Sequence, residues 1–214
     1  SISSTTTEDI SYDKYLNFTY SMVEDSFKIG KQDDLEKIIY DVKFPQVMGL
    51  AQYIQSSQRI FDYVFKKPFR FTQNSIHELI SIYSALSGYY ETVINLFLSG
   101  YELIYEGKEF NEKLFKERTK NFNICLKRAS KKSVFDTILE PFSAELRNKL
   151  IHKELSIDFI NKRILYSNKS TEFTSFLKTI QKLLLIIGLT GTVEVFIQNI
   201  KSKKLLQIIN SIKE

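Results

Sequence analysis

The chain has 214 residues, of which 43% are hydrophobic and 26% charged, with seven Gly and three Pro, a composition that can bury a core and excludes both a disordered chain and an all-β sandwich needing frequent turns. One Cys and two His exclude an intrachain disulfide framework and a Cys- or His-rich metal site, so neither metal nor cofactor is expected. The net charge of +5 is uneven, since residues 1–107 hold nine Lys/Arg against fourteen Asp/Glu and residues 108–214 hold twenty-one against eleven.

An acidic half of −5 is thus joined to a basic half of +10. That asymmetry points the second half at an anionic partner, nucleic acid first, although solvated Lys-rich helix faces give the same count. Residues 1–10, rich in Ser and Thr, read as a flexible tail. Residues 11–214 read as one helical domain, with no repeat, low-complexity segment or Pro/Ser linker to divide it. Apolar residues at helical spacing predict a helix from Ser11 to Ile29, stopped by Gly30, and a short one over Asp34–Val42. Pro45 suits the first turn of a helix over Gln46–Phe65, and Thr72 or Asn74 caps a long helix to about Ser99, followed by Gly100. A further helix is expected over Asn111–Ala129. Val134–Leu139 looks helical, Pro141 disfavours helix at Glu140, and a helix resumes to about Lys153.

The period then changes. Alternation over Leu155–Phe159 and strand formers over Arg163–Ser167, turning at Asn161-Lys162, predict a small β-hairpin near 155–167. Thr171 is a candidate cap for a last helical region reaching Ile212, interrupted near Gly188 and Gly191. The longest apolar run, Leu183–Leu189, is short of the roughly 20 residues of a membrane span, and no charged-then-apolar leader opens the sequence. The expectation is an all-α bundle with at most one hairpin, in a cytoplasmic protein with no membrane partner.

Most chemistries fail on motif. Neither glycine-rich phosphate loop can be written, and H-E-x-x-H and G-x-S-x-G are absent. Cys125 lies in the amphipathic stretch 121–128 and reads as a small core residue. His77 follows Arg70 at R-x(6)-H spacing, but that match crosses a helix start and has Phe71 after the arginine, so His77 reads as structural. The second match is Arg147-x(4)-His152, with the polar Asn148 next to the arginine. On a helix Phe142, Leu146 and Leu150 share the core-facing side, while Glu145, Asn148 and His152 form a flanking strip. Arg147 falls roughly 140° around the axis from His152. Either the arginine wraps round, the helix is distorted, or the two residues act from different protomers.

Leu146-Arg147-Asn148-Lys149-Leu150-Ile151-His152 resembles the R-N-x-x-x-H signature of the HEPN superfamily, helical domains named for higher eukaryotes and prokaryotes nucleotide-binding. The resemblance covers about eight residues, and the helical setting and late position of the motif agree with it over most of the chain. It implies a HEPN-like helical bundle. Many HEPN proteins are metal-independent endoribonucleases of toxin–antitoxin, abortive-infection and other defence systems, in which two domains dimerise and bring their motifs together. Carried over, the resemblance makes Arg147 and His152 the catalytic pair and Asn148 the polar position of the motif, with RNA, a second copy and an antitoxin protein as partners.

The residue chemistry fits such a reaction. RNA carries its own nucleophile, the 2′-OH; an imidazole can move its proton at neutral pH, and a guanidinium can hold phosphate oxygens. Lys149, Lys153, Lys127, Arg128, Lys131 and Lys132 are the candidates for attraction to the backbone. The expected products are a 2′,3′-cyclic phosphate and a 5′-OH. The alternative is a non-catalytic HEPN-like helical module that binds RNA, nucleotide or a protein partner.

Overall fold

Two long helices frame the molecule in the computed structural model, which describes residues 13–40, 64–65, 71–152 and 154–213. In chain order the elements are α1 (Asp13–Lys28), α2 (residues 32–40), α3 (Gln73–Tyr105), α4 (Glu112–Lys120) and α5 (Phe122–Ala129). A 3₁₀ turn at Ser133–Phe135 runs into α6 (Asp136–Leu139), followed by α7 (Ala144–Ile151), β1 (Leu155–Asp158), β2 (Arg163–Tyr166), β3 (Lys169–Glu172) and α8 (Phe173–Lys213). The described residues are therefore mostly helical with one small sheet. The predicted tail over 1–10 and the predicted helix over 46–65 lie outside the described residues, apart from Val64 and Phe65 at the end of the latter.

α3 is the central element. Every residue from Tyr90 to Gly100 is buried, as a helix must be when it is covered on all sides. α1, α4, α5, α7 and α8 all pack against it, and α1 also packs on α8. Thr72 is the cap, its hydroxyl accepting the Ser75 N–H. The helix does not stop at Ser99. Gly100 is a packing residue: a Cβ there would lie 3.1 Å from Leu35 Cδ1 and 3.2 Å from Met22 Sδ. Its missing side chain lets α1 and α2 approach, and the helix continues to Tyr105.

The single helix expected over 111–129 is two. Asn121, at φ −128° and ψ 83°, leaves helical geometry and closes α4, its N–H donating to the Glu117 carbonyl. The buried Asn95 amide on α3 donates to the Phe115 carbonyl at 2.8 Å and to Thr119 Oγ1 at 3.0 Å, tying the end of α4 down. The bend lets Phe115, Phe122 and Cys125 all reach the core.

The hairpin expected near 155–167 is a three-stranded antiparallel meander in the order β1-β2-β3. β1 pairs with β2 from Leu155↔Tyr166 to Asp158↔Arg163, and β2 pairs with β3 from Arg163↔Glu172 to Tyr166↔Lys169. Thr171 thus lies in β3 opposite Ile164, and α8 starts at Phe173, whose N–H donates to the Lys162 carbonyl. The first turn needs no Gly because the Asp158 carboxylate accepts the N–H groups of Ile160 and Asn161, both at 3.0 Å, while Lys162 takes a left-handed φ of 52°.

α8 is unbroken through Gly188 and Gly191. Each helical glycine costs about 1 kcal/mol relative to Ala, but Leu183, Ile186, Leu189, Val193 and Ile197 keep one stripe buried through that region, and each fully buried side chain contributes roughly 1.5–3 kcal/mol. Over Phe173–Gln207 α8 is long and apolar enough to cross a membrane by length and composition, a measure that packed core helices also meet; 28% of its most apolar window is buried in the fold. A count of uninterrupted apolar residues does not register this helix, because polar residues are spaced along it.

Candidate functional site

α7 carries the Arg147–His152 motif, and its rotation is fixed by packing. Ser143 caps it, Oγ accepting the Leu146 N–H at 3.2 Å. Leu146 and Leu150 are buried on the side facing α3. Phe142, just before the helix, stacks on Tyr90 at 4.9 Å with rings 13° apart and meets the edge of Phe122 at 5.3 Å. Tyr90 is itself anchored, its hydroxyl donating to the Ile138 carbonyl at 2.7 Å.

This arrangement leaves a cleft of about 190 Å³ between α7, α3 and the α4–α5 corner. Arg147 and Asn148 line one side, Phe142 and Phe122 form an aromatic wall, and Glu91, Thr119, Lys120, Asn121 and Asn123 complete it. Arg147 is half-buried, its Nη2 2.8 Å from Glu91 Oε1. That approach is off the line of a good N–H···O bond, and Glu91 Oε1 and Arg147 Nε have no hydrogen-bond partner among the described residues, so the pair is an ionic contact. Arg147 Nη1 donates to Asn148 Oδ1 at 3.2 Å. Burial pushes the Glu91 carboxyl above its ordinary pKa, and the neighbouring guanidinium pulls it back less strongly. The cleft therefore presents a fixed cation and an amide over a buried carboxylate, a set suited to holding an anionic or polar group.

His152 stands elsewhere. It is the exposed C-cap of α7, its N–H donating to the Asn148 carbonyl at 3.0 Å, and it does not line the cleft. The structure thus brings Arg147 and Asn148 together and leaves His152 out of the cleft, in keeping with the offset of roughly 140° between Arg147 and His152. The Asn148 side chain is engaged with Arg147 rather than with the imidazole.

The basic candidates are dispersed. Lys149 pairs with Glu154, and the Lys149 ammonium is the main reason that the Glu154 carboxyl titrates below its usual range. Arg128 pairs with Glu102, and Lys132 pairs with Glu106 while lying 4.8 Å over the Tyr101 ring. Lys127 and Lys131 are exposed, with no ion pair among the described residues. Lys153 lies outside the described residues. Glu102 sits about 16 Å further along α3 than Glu91 at 1.5 Å rise per residue, so Arg128 is well displaced from the Arg147 cleft. Cys125 is fully buried and its thiol is pushed up to about 12 by burial, which fits a core residue. His77 is exposed near the start of α3.

The sequence reading did not single out Glu91, Lys120, Asn121 or Asn123. Glu91 had a signal, a lone carboxylate inside the strongly apolar stretch from Tyr89 to Leu98; such a charge is seldom buried without a partner. Among the described residues no three His, Cys, Asp or Glu side chains are placed to hold a metal ion. Comparison with known proteins gives no further guide: no family model matches the chain, and no match is found among curated proteins or solved structures.

Proposed function

We propose that this chain is a metal-independent endoribonuclease of the HEPN type, acting as a homodimer and serving as the effector of a cytoplasmic defence or toxin–antitoxin pair. The observation that carries the reading is that Arg147 and Asn148 share a cleft while an exposed His152 ends the same helix. In the proposed reaction the 2′-oxygen attacks the adjacent phosphorus and the bond to the 5′-oxygen breaks. His152 accepts the 2′-OH proton, and the leaving 5′-oxygen takes a proton from solvent water. Arg147 holds the phosphate oxygens and stabilises the added charge, and Asn148 keeps the guanidinium oriented. The products are a 2′,3′-cyclic phosphate and a 5′-OH.

The test is cleavage of mixed cellular RNA in EDTA by the purified chain and by His152→Ala and Arg147→Ala. The expected result is cleavage by the parent and its loss, by at least about a hundredfold, in both variants, with unchanged circular dichroism. RNA left intact by the parent, or activity on DNA alone, defeats the reading. A specific observation favours a second one: because His152 is outside the cleft, the cleft by itself supports a non-catalytic module that binds RNA, nucleotide or a protein partner. On that reading the parent chain binds but never cuts.

A further inference from the structure

We infer that a single RNA strand reaches the Arg147 cleft along α4, with Lys113, Lys116 and Lys120 as its backbone-binding side chains; this rests on the ribonuclease reading and assigns it a substrate path. Lys120 and Asn121 line the Arg147 cleft and also a second, wider groove of about 870 Å³, so the two adjoin at the end of α4. Lys113 and Lys116 line that groove together with the half-exposed Ile124.

The spacing i, i+3, i+7 puts the three lysines on one face of α4. From Lys113 to Lys120 the helix rises about 10 Å, and a stacked strand has a phosphate about every 3.4 Å, so the face meets roughly three phosphates. These charges are available. Lys113 and Lys120 have no ion pair among the described residues, and Lys116 pairs at 2.5 Å with Glu112 in a contact where both side chains are more than two-thirds exposed, 69% and 68%. Such a pair is weak and easily exchanged for a phosphate. Arg128 and Lys132, by contrast, are already matched by Glu102 on α3 and by Glu106 at its C-cap.

Ile124 offers an apolar surface for a base face, and Asn121 and Asn123 offer amide groups where the strand turns into the cleft. Single strands combine this kind of basic track with exposed base-contacting side chains. Glu112 and Glu117 also line the groove and oppose a polyanion, so the path is tuned for moderate rather than maximal affinity.

The experiment measures binding of a fluorescent single-stranded oligouridine to the His152→Ala chain across a salt series, and cleavage in EDTA by the chain with His152 intact. Lys113→Gln/Lys116→Gln/Lys120→Gln is expected to weaken binding about tenfold or more at low salt and to reduce the log–log salt slope by about 2. The same three positions as Arg should bind like the parent, which separates lost charge from a damaged fold. Glu117→Gln should tighten binding, and Lys127→Gln/Lys131→Gln should weaken it much less than the triple Gln variant. If the parent cuts RNA and the triple Gln variant binds and cuts equally well, or if the loss falls on the Lys127/Lys131 variant, the path is wrong while the ribonuclease reading stands. If the parent neither binds nor cuts RNA, both fall together.

Discussion

At Arg147 the question is what a half-buried guanidinium needs in order to meet a phosphate. Its Nη2 is held by Glu91 and its Nη1 by Asn148, so the side chain is fixed before any ligand arrives, and less conformational entropy is lost on binding. Glu91 also limits the site: a carboxylate beside the arginine competes with a phosphate for the same positive charge. Burial raises the Glu91 pKa in the folded chain. A raised pKa means that the folded state holds the proton more tightly than the unfolded one. The associated stability is fully present below the ordinary glutamate value of about 4.3 and is lost as pH rises through the higher folded value. Glu91→Gln keeps an acceptor beside Arg147 and removes that loss, so its unfolding midpoint should decline less than the parent's across this window. RNA cleavage should fall because the arginine is held less firmly. Thermal melts over a pH series, with cleavage assays alongside, check both outcomes; a variant with parental pH dependence and parental activity contradicts the role given to Glu91.

Among the helices, glycine shows most clearly what a sequence pattern can and cannot report. Gly88 and Gly191 sit within α3 and α8, and a Cβ at either meets nothing within 4 Å. Gly88→Ala and Gly191→Ala should each stabilise the fold by up to about 1 kcal/mol. Gly100→Ala should gain little, because its Cβ would crowd Leu35 at 3.1 Å and Met22 at 3.2 Å, and Gly100→Leu should destabilise through overpacking. Denaturant unfolding of these four variants checks the ordering. A helical pattern does not distinguish the glycine that ends a helix from the one that admits a neighbour, which is why Gly100, Gly188 and Gly191 read as stops. Similarly, β3 is invisible to alternation: Lys-Ser-Thr-Glu has no apolar residue, and only its backbone pairing with β2 makes it a strand. The inward side of α7 was legible, since Leu146 and Leu150 follow the 3.6-residue period, and so was the angular separation of Arg147 from His152. The other wall of the cleft was not. Glu91 and Lys120 come from helices distant in sequence, and periodicity reports which side faces inward without naming the neighbour.

Across the whole molecule, the two oppositely charged halves of the sequence are folded into one another. Carboxylates of α3 and its C-cap meet cations from the second half: Glu91 meets Arg147, Glu102 meets Arg118 and Arg128, and Glu106 at the C-cap meets Lys108 and Lys132. Much of the +10 is thereby matched internally, and the outward basic character rests on fewer side chains than the count implies. One consequence is acid sensitivity. The Glu106 carboxyl is lowered to about 2, first by Lys108 and then by Lys132. A lowered pKa gives stability that is present above the unfolded glutamate value of about 4.3 and is lost as pH falls toward the folded one. Glu106→Gln should therefore flatten the acid side of the stability profile between about pH 5 and pH 2, as read from unfolding midpoints.

The placement of Arg147 in the cleft and of His152 at the exposed end of α7 bears on assembly. The two side chains leave the helix roughly 140° apart and about 7.5 Å apart along its axis, and Arg147 cannot swing toward His152 without leaving Glu91 and Asn148. A two-fold axis passing near α7 removes the difficulty, because the His152 of one protomer can then face the Arg147 of the other. Such a site has a genetic signature. Arg147→Ala and His152→Ala chains, each inactive alone, should regain RNA cleavage when unfolded together and refolded, since about half of the dimers formed from an equal mixture combine an intact arginine on one chain with an intact histidine on the other. Sedimentation should show the parent as a dimer at the same concentration. A parent chain that cuts RNA as a monomer, or mixed variants that never recover activity although mixed dimers form, would show that each chain works with its own Arg147 and His152, and α7 would then have to unwind near Asn148 to bring them together.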